Sequence, residues 1–177
     1  MMRWRSFQRN AGPAACVLGL ASIVGGCGFH PLYAPGSAAV TGLPEVYVDI
    51  IPERNGQILR QALQARLDGA AGDTSKHYEL SVSYAYQSES LGIQSDNSST
   101  RTRFNGTAHW TLHKPGPFGA KITTGVAIAM DGINNLNAQF FYGDLASEAV
   151  SRRMGDTLAD QIAQSLAAYF RAHPDLA

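Results

Sequence analysis

Cys27 is the residue of this chain whose type and setting point most clearly to chemistry. The two residues before it, Gly25 and Gly26, are small, and residues 24–27 have the form of a bacterial lipobox. Small residues let the chain enter a narrow peptidase site; the thiol then carries a diacylglycerol and the new amine carries a third acyl chain. One acyl chain binds a membrane only marginally, whereas several bind it stably. We therefore predict that Cys27 is a lipid anchor.

The segment before Cys27 has the composition of a secretory signal peptide. Three arginines between residues 3 and 9 precede an uncharged run over residues 10–24. An uncleaved transmembrane helix is one alternative, and an ordinary buried cysteine at position 27 is another. The glycines and the proline in the run, with its short hydrophobic core, favour a cleaved signal peptide. Cys16 is a weaker acceptor, because the uncharged run before it is too short.

The domain organisation follows from this cleavage site. We expect a lipoprotein signal peptide over residues 1–26, a lipidated tether rich in Gly, Pro, Ala and Ser over residues 27–44, and one folded domain over residues 45–177. Three of the fourteen basic residues lie in the leader, so the rest of the chain carries eleven basic and fourteen acidic residues. Proteins that bind nucleic acid normally show a basic excess, so we expect no nucleic-acid partner.

Catalytic motifs are absent from the sequence. It contains no G-x-S-x-G, H-E-x-x-H, P-loop or G-x-G-x-x-G pattern, and a Ser-His-Asp triad would lack the elbow that marks its nucleophile. His109 and His113 share a face of a predicted strand, but about 13 Å separates them, which is too far for one metal ion. We therefore expect no enzymatic activity, no metal and no cofactor.

A basic cluster is the remaining candidate site. Arg101 and Arg103 stand two apart on a predicted strand, so both guanidinium groups project from one face. Lys121 on the next strand is predicted to join them across a hairpin. Guanidinium forks suit phosphate and carboxylate groups, so these three residues could contact phosphorylated lipid headgroups or an acidic protein. The alternative is a solvated sheet face whose charges keep the sheet soluble.

Hydrophobic periodicity predicts the elements that position these residues. Apolar residues at four-residue spacing predict a helix over residues 56–67, with Asn55 as its N-cap, and a long helix over residues 144–172, with Asp144 as its N-cap. Alternation predicts four strands, over residues 45–51, 78–86, 101–112 and 121–131. The polar segment 87–100 is either a long hairpin loop or a frayed extension of its strands.

The facing of the strands follows from their bulky residues. On the first strand, one predicted face carries Val46, Val48 and Ile50, and the other carries Tyr47 and Ile51. The inward residues predicted for the last strand are Ile122, Val126, Ile128 and Met130. The outward residues predicted for the last strand are Lys121, Thr123 and Asp131. Each strand and helix then has one apolar face, and the economical fold is a two-layer α/β sandwich. Both helices would cover one face of a four-stranded mixed sheet.

The residues after the lipobox carry a family resemblance. Cys27-Gly28-Phe29-His30-Pro31-Leu32-Tyr33 resembles the mature N-terminus of the lipopolysaccharide-assembly lipoprotein family, LptE. The predicted order of elements agrees with that family. The resemblance implies a periplasm-facing outer-membrane lipoprotein, without catalytic activity, that plugs a large β-barrel partner, LptD, and helps deliver lipopolysaccharide to the outer leaflet. It assigns no lipopolysaccharide contact to a particular position of this chain.

Two other functions are compatible with a lipobox and a small α/β domain. One is an auxiliary lipoprotein of a lipid-transporting ABC system, and the other is a lipid-anchored hydrolase. The heptapeptide that begins at Cys27 favours the LptE-like function over the first. The absence of a nucleophile motif disfavours the second.

Overall fold

The computed structural model describes residues 42–68, 75–93, 99–134 and 140–176. All of them belong to one compact unit, Leu32–Ala177. Cys27, the predicted signal peptide and most of the predicted tether lie outside the described residues. The elements in chain order are β1 (Val46–Val48), α1 (Glu53–Leu67), β2 (Tyr78–Ile93), β3 (Ser99–His113), β4 (Lys121–Asn134) and α2 (Phe140–Ala172), with short 3-10 turns at Leu43–Glu45 and Pro174–Leu176.

The four strands form one mixed sheet in the order β1-β2-β3-β4. β1 and β2 are parallel, and α1 supplies the crossover that parallel neighbours need. β2, β3 and β4 form an antiparallel meander. Both helices pack on the same face of the sheet through one continuous core. The predicted fold class, a two-layer α/β sandwich, is therefore confirmed.

The apolar rows of the two helices were predicted correctly. The row along α2 is fully buried and consists of Val150, Met154, Leu158, Ile162, Leu166 and Phe170. The row along α1, Leu59, Leu63 and Leu67, is buried as well. A fully buried Leu, Ile or Phe side chain contributes about 1.5–3 kcal/mol, so these rows hold the helices on the sheet.

The predicted helix starts were wrong at both helices. α1 begins at Glu53 directly after Pro52, so Asn55 lies inside the first turn. A proline suits this position because its fixed φ fits the entry of the chain into the helix. α2 begins at Phe140, so Asp144 is a helical residue whose carbonyl accepts a hydrogen bond from Ser147. Capping preference alone placed both starts too far along the chain.

The helices contact each other at a glycine. A Cβ added to Gly155 on α2 would lie 3.0 Å from Ile58 Cγ2 on α1, so the two backbones approach closely there. Exposed ion pairs join Arg54 to Glu148 at 2.8 Å and Arg66 to Asp160 at 2.5 Å. The paired positions advance together along both helices, so α1 and α2 run parallel. Such exposed pairs contribute little to stability, because water screens them.

The predicted facing of β4 was wrong for most of its length. Ala127 and Ala129 are buried, whereas Val126, Ile128 and Met130 are 54%, 57% and 72% exposed. Leu112 pairs with Thr123 and His113 with Lys121, so the register skips Ile122. This bulge puts one extra residue into β4 and reverses the alternation beyond it. Ile122 does pack against the core as predicted, and Lys121 lies on the outward side.

Small residues on β4 make room for bulky neighbours on β3. Gly125 pairs with Trp110, and a Cβ added to Gly125 would lie 2.4 Å from Trp110 Cζ2. Ala127 pairs with the fully buried Ala108 in the same way. Thr123 and Asp131, which were predicted to face outward, share this helix-facing side. Asp131 accepts a hydrogen bond from Arg153 Nε of α2 at 2.8 Å.

β4 forms one edge of the sheet, and α2 reaches that edge. The Gln161 carboxamide accepts a hydrogen bond from the Ile128 N–H at 3.1 Å and donates one to the Ile128 carbonyl at 3.0 Å. Gln161 thus occupies the position where a further strand would pair with the centre of β4. Unpaired edges invite strand addition, so this contact protects the edge.

Two other strand predictions need revision. β1 ends at Val48, so Ile50 does not share the buried face of Val46 and Val48 as predicted. It is 80% exposed, and Ile51 is buried instead. Asp49 N–H still bonds the Leu80 carbonyl, after which the chain turns toward Pro52. In the polar segment 87–100 the strand-extension prediction was right, because β2 runs to Ile93 and β3 starts at Ser99.

Candidate functional site

Arg101 and Arg103 lie where the β2–β3 hairpin extends beyond the core. We call this the distal end of the sheet. Both side chains are exposed and share the face opposite the helices, as predicted. Arg103 Nη1 lies 3.8 Å from Glu89 Oε2, its cross-strand neighbour on β2. The guanidinium of Arg101 lies over Gly132 of β4, 3.5 Å from where a Cβ would stand. Two exposed guanidinium groups therefore lie close together at this end of the sheet.

Lys121 does not join these arginines. It pairs with His113 at the other end of the hairpin, whereas Arg103 pairs with Gly132. At about 3.4 Å per residue, the ten positions of β3 between Arg103 and His113 span about 34 Å. The prediction of a three-residue cluster was wrong on this point, because it placed the strands side by side without their register.

The sheet face opposite the helices, which we call the open face, is polar on its central strands. β2 and β3 present small, polar or charged side chains there, among them Ser83, Gln87, Asn105, Thr107 and His109. β4 instead presents the exposed row Val126, Ile128 and Met130. This row had been assigned to the core. The signal that could have located it is the pair of alanines between its members, which fit beneath a helix better than bulky residues do.

A cleft of about 520 Å³ lies at the distal end, between β4 and α2. Its lining combines the end of β4 with the first turns of α2, and includes Ile133, Leu145, Ala149 and Arg153. Arg153 is held by Asp131 at 2.7 Å from its Nη2 atom. The cleft therefore joins apolar walls to a positioned guanidinium.

A carboxyl pair lies on the open face near the opposite end of the sheet. Asp49 Oδ2 accepts a hydrogen bond from Ser81 at 2.7 Å. A hydrogen bond to Asp49, together with its negative charge, raises the pKa of the Glu79 carboxyl, although a backbone bond from Gly116 opposes the shift. Two neighbouring carboxyl groups share a proton more readily than they both ionise. The contact between Glu79 and Asp49 is therefore more stable in acid than at neutral pH.

The shifted pKa of Tyr84 has a structural cause. Burial raises the pKa of the Tyr84 hydroxyl to about 12, because the phenolate would lose its hydration.

Among the described residues, no three His, Cys, Asp or Glu side chains gather as they would around a metal ion. The described helices include none that is long and apolar enough to cross a membrane. The groups assembled on the open face suit recognition by hydrogen bonds and charge.

The comparisons with known proteins agree with this geometry. The family model LptE, described as lipopolysaccharide-assembly, matches residues 43–166. A candidate lipoprotein from Caulobacter crescentus CB15 has a similar structure, with a TM-score of 0.62 and 20% identity over 75% of this chain and 95% of its own. The comparison with curated proteins finds no match.

Two further solved structures have the same fold. Rare lipoprotein B from Shewanella oneidensis gives a TM-score of 0.50 at 13% identity, over 70% of this chain and 92% of its own. Lipoprotein B from Nitrosomonas europaea gives 0.54 at 13% identity, over 73% and 86%. At these identities the likeness shows the fold alone, whereas the family match spans more than half of the sequence and reaches far into α2. The chain therefore belongs to the LptE family of lipopolysaccharide-assembly proteins.

Proposed function

We propose that this chain is a lipid-anchored, non-catalytic subunit of the outer-membrane lipopolysaccharide translocon. It faces the periplasm, plugs the lumen of the β-barrel partner LptD, supports assembly of that barrel, and helps deliver lipopolysaccharide to the outer leaflet. The observation that carries the proposal is the family match over residues 43–166. The lipobox at Cys27 supports the anchor, because acylation there would keep the domain at a membrane surface.

The open face supports the role as a plug. Wide barrels have polar lumens. β2 and β3 present hydrogen-bonding side chains such as Asn105 and Thr107, and neither α1 nor α2 covers them. A sheet that is polar on one face and buried on the other can fill a polar lumen without losing its core. The exposed apolar row on β4 makes one border of this face less polar than its centre. An apolar strip of the barrel wall could pack against that border.

We propose that Arg101 and Arg103 contact the phosphate groups of lipopolysaccharide or acidic groups of the lumen. Both are exposed on the same face, and guanidinium groups bind phosphates through paired hydrogen bonds. Lys121 was part of the same prediction, but it would bind independently because it lies at the other end of β3.

Charge reversal tests this contact. The double variant Arg101→Glu and Arg103→Glu should fold normally, since exposed charges rarely contribute more than about 1 kcal/mol. It should bind lipopolysaccharide less tightly, most clearly at low salt. Arg152→Glu is the control, because it reverses an exposed charge on α2, on the helix side of the sheet. Equal binding by wild type and the double variant would contradict the contact, and loss of barrel co-purification alone would make it a protein contact.

Depletion of the chain tests the function as a whole. In the bacterium that encodes it, depletion should lower newly made lipopolysaccharide at the cell surface and leave the barrel misassembled. Wild-type chain should restore both, whereas Cys27→Ala should remain an unprocessed precursor and restore neither. Normal surface lipopolysaccharide after full depletion would contradict the proposed function.

A further inference from the structure

The β3–β4 loop holds an aromatic side chain fully in water. Phe118 is 98% exposed, although the rest of the loop is closed by backbone hydrogen bonds. Lys114 N–H bonds the Ala120 carbonyl at 3.0 Å, and Gly119 N–H bonds the Gly116 carbonyl at 3.0 Å. A Cβ at Gly119 would collide with the Lys114 carbonyl, so the turn is tight. The loop thus presents Phe118 at its tip rather than folding over it.

Two lysines flank this tip. Lys114 precedes the loop and Lys121 begins β4, and both side chains are exposed. An exposed aromatic ring next to lysines is the combination that binds the interface of an anionic membrane, where the ring enters the headgroup region and the ammonium groups meet phosphates. Single exposed apolar residues are common on protein surfaces. A membrane contact therefore also requires that this loop lie near the lipid anchor.

The loop lies at the end of the sheet where the described chain begins. A Cβ on Gly42 would touch the Phe170 ring, and Phe170 packs on Tyr78 with ring centroids 5.3 Å apart. Tyr78 starts β2, and the next residue, Glu79, pairs with His113 directly before the loop. The tether therefore enters the domain at the same end as Phe118, which we call the anchored end.

The length of the tether favours the anchored end as the membrane-facing side. Gly42 lies fifteen positions after Cys27, so the tether spans at most about 50 Å when fully extended. β3 alone is 15 residues long, which is about 50 Å of sheet. The distal end could reach the lipid surface only with the tether almost fully extended, whereas the anchored end can do so at any extension.

We propose that the Lys114–Phe118–Lys121 loop is a second membrane contact, in which Phe118 enters the headgroup region of the leaflet that holds the lipid anchor. This inference rests on the lipid anchor in the proposed function. It adds an orientation: the anchored end faces the lipid, and the arginines at the distal end point away from it. Lys121 then belongs to a membrane contact and not to the arginine cluster.

Quenching by brominated lipids tests the contact in the full-length lipidated protein. Phe118→Trp places an indole at the tip, and Ser90→Trp places a control indole at the exposed distal end. In vesicles of phosphatidylethanolamine and phosphatidylglycerol, the indole at 118 should be quenched severalfold more than the one at 90. Wild-type protein gives the background of the buried Trp110. Adding Lys114→Glu and Lys121→Glu should reduce the quenching at 118.

The outcomes separate the loop from the anchor. If the wild-type protein does not float with vesicles, both the anchor and this inference are overturned. If it floats but positions 118 and 90 are quenched equally, the loop contact alone is overturned. Shielding of position 118 only in the complex with a barrel, and not in vesicles, would also overturn it, because the loop would then be a protein contact.

Discussion

The reversed facing of β4 predicts opposite consequences for two adjacent substitutions. Ala127 is 1% exposed and faces α2, whereas Val126 is 54% exposed on the open face. Ala127→Glu would place an unpaired carboxylate beneath the helix, at a cost of about 3–5 kcal/mol. Against a total stability of about 5–15 kcal/mol, that loss would strongly destabilise or unfold the domain. Val126→Glu keeps its charge in water and should cost about 1 kcal/mol or less.

Urea unfolding followed by tryptophan fluorescence measures both effects. Trp110 is buried beside Gly125 and reports on this part of the core, while Trp4 lies in the predicted leader. The unfolding midpoint should fall far more for Ala127→Glu than for Val126→Glu. If Val126→Glu is the more destabilising substitution, the bulky side chains face the core and the register described for β4 is wrong.

Three further predictions concern single residues: Glu79, Gln161 and Cys27. The raised pKa of Glu79 favours its protonated form in the folded state, so the stability from its bond to Asp49 is present in acid and lost as the pH rises through that raised pKa. Glu79→Gln should therefore raise the melting temperature at neutral pH but not at about pH 3. An equal change at both pH values would contradict the proposal that Glu79 and Asp49 share a proton. Gln161→Ala should uncover the edge of β4 and increase self-association in sedimentation experiments, whereas Gln164→Ala, an exposed change on the same helix, should not; equal behaviour would show that the Gln161 contact does not protect the edge. Cys27→Ala should abolish labelling by a palmitate analogue, and persistent labelling would exclude this cysteine as the acceptor.

The helix rows were predictable because their signal is local and repeated. Leu158, Ile162 and Leu166 recur at the spacing that places side chains on one helix face, and nothing elsewhere in the chain can change that spacing. The helix starts were harder, since Asn55 and Asp144 are good N-caps that the chain does not use. The preference of a single residue contributes about 1 kcal/mol, and packing of a whole helix outweighs it.

The facing of β4 could not be read from its own residues. Alternation is preserved when a strand is turned over, so one bulge at Ile122 exchanges the two faces without changing the pattern. The deciding information lies on other elements: Trp110 needs space above Gly125, and α2 needs small residues beneath it. The arginine cluster shows the same limit, because Lys121 and Arg103 could be separated only by the register of the hairpin.

Co-purification tests the central claim most directly. The full-length chain, tagged at its C-terminus and extracted from membranes in mild detergent, should bring with it a single large outer-membrane β-barrel in an equimolar complex. The double variant Arg101→Glu and Arg103→Glu should show whether the distal end takes part in that complex. Recovery of an inner-membrane permease or a periplasmic substrate-binding protein in place of the barrel would contradict the account and would favour an auxiliary lipoprotein of an ABC system.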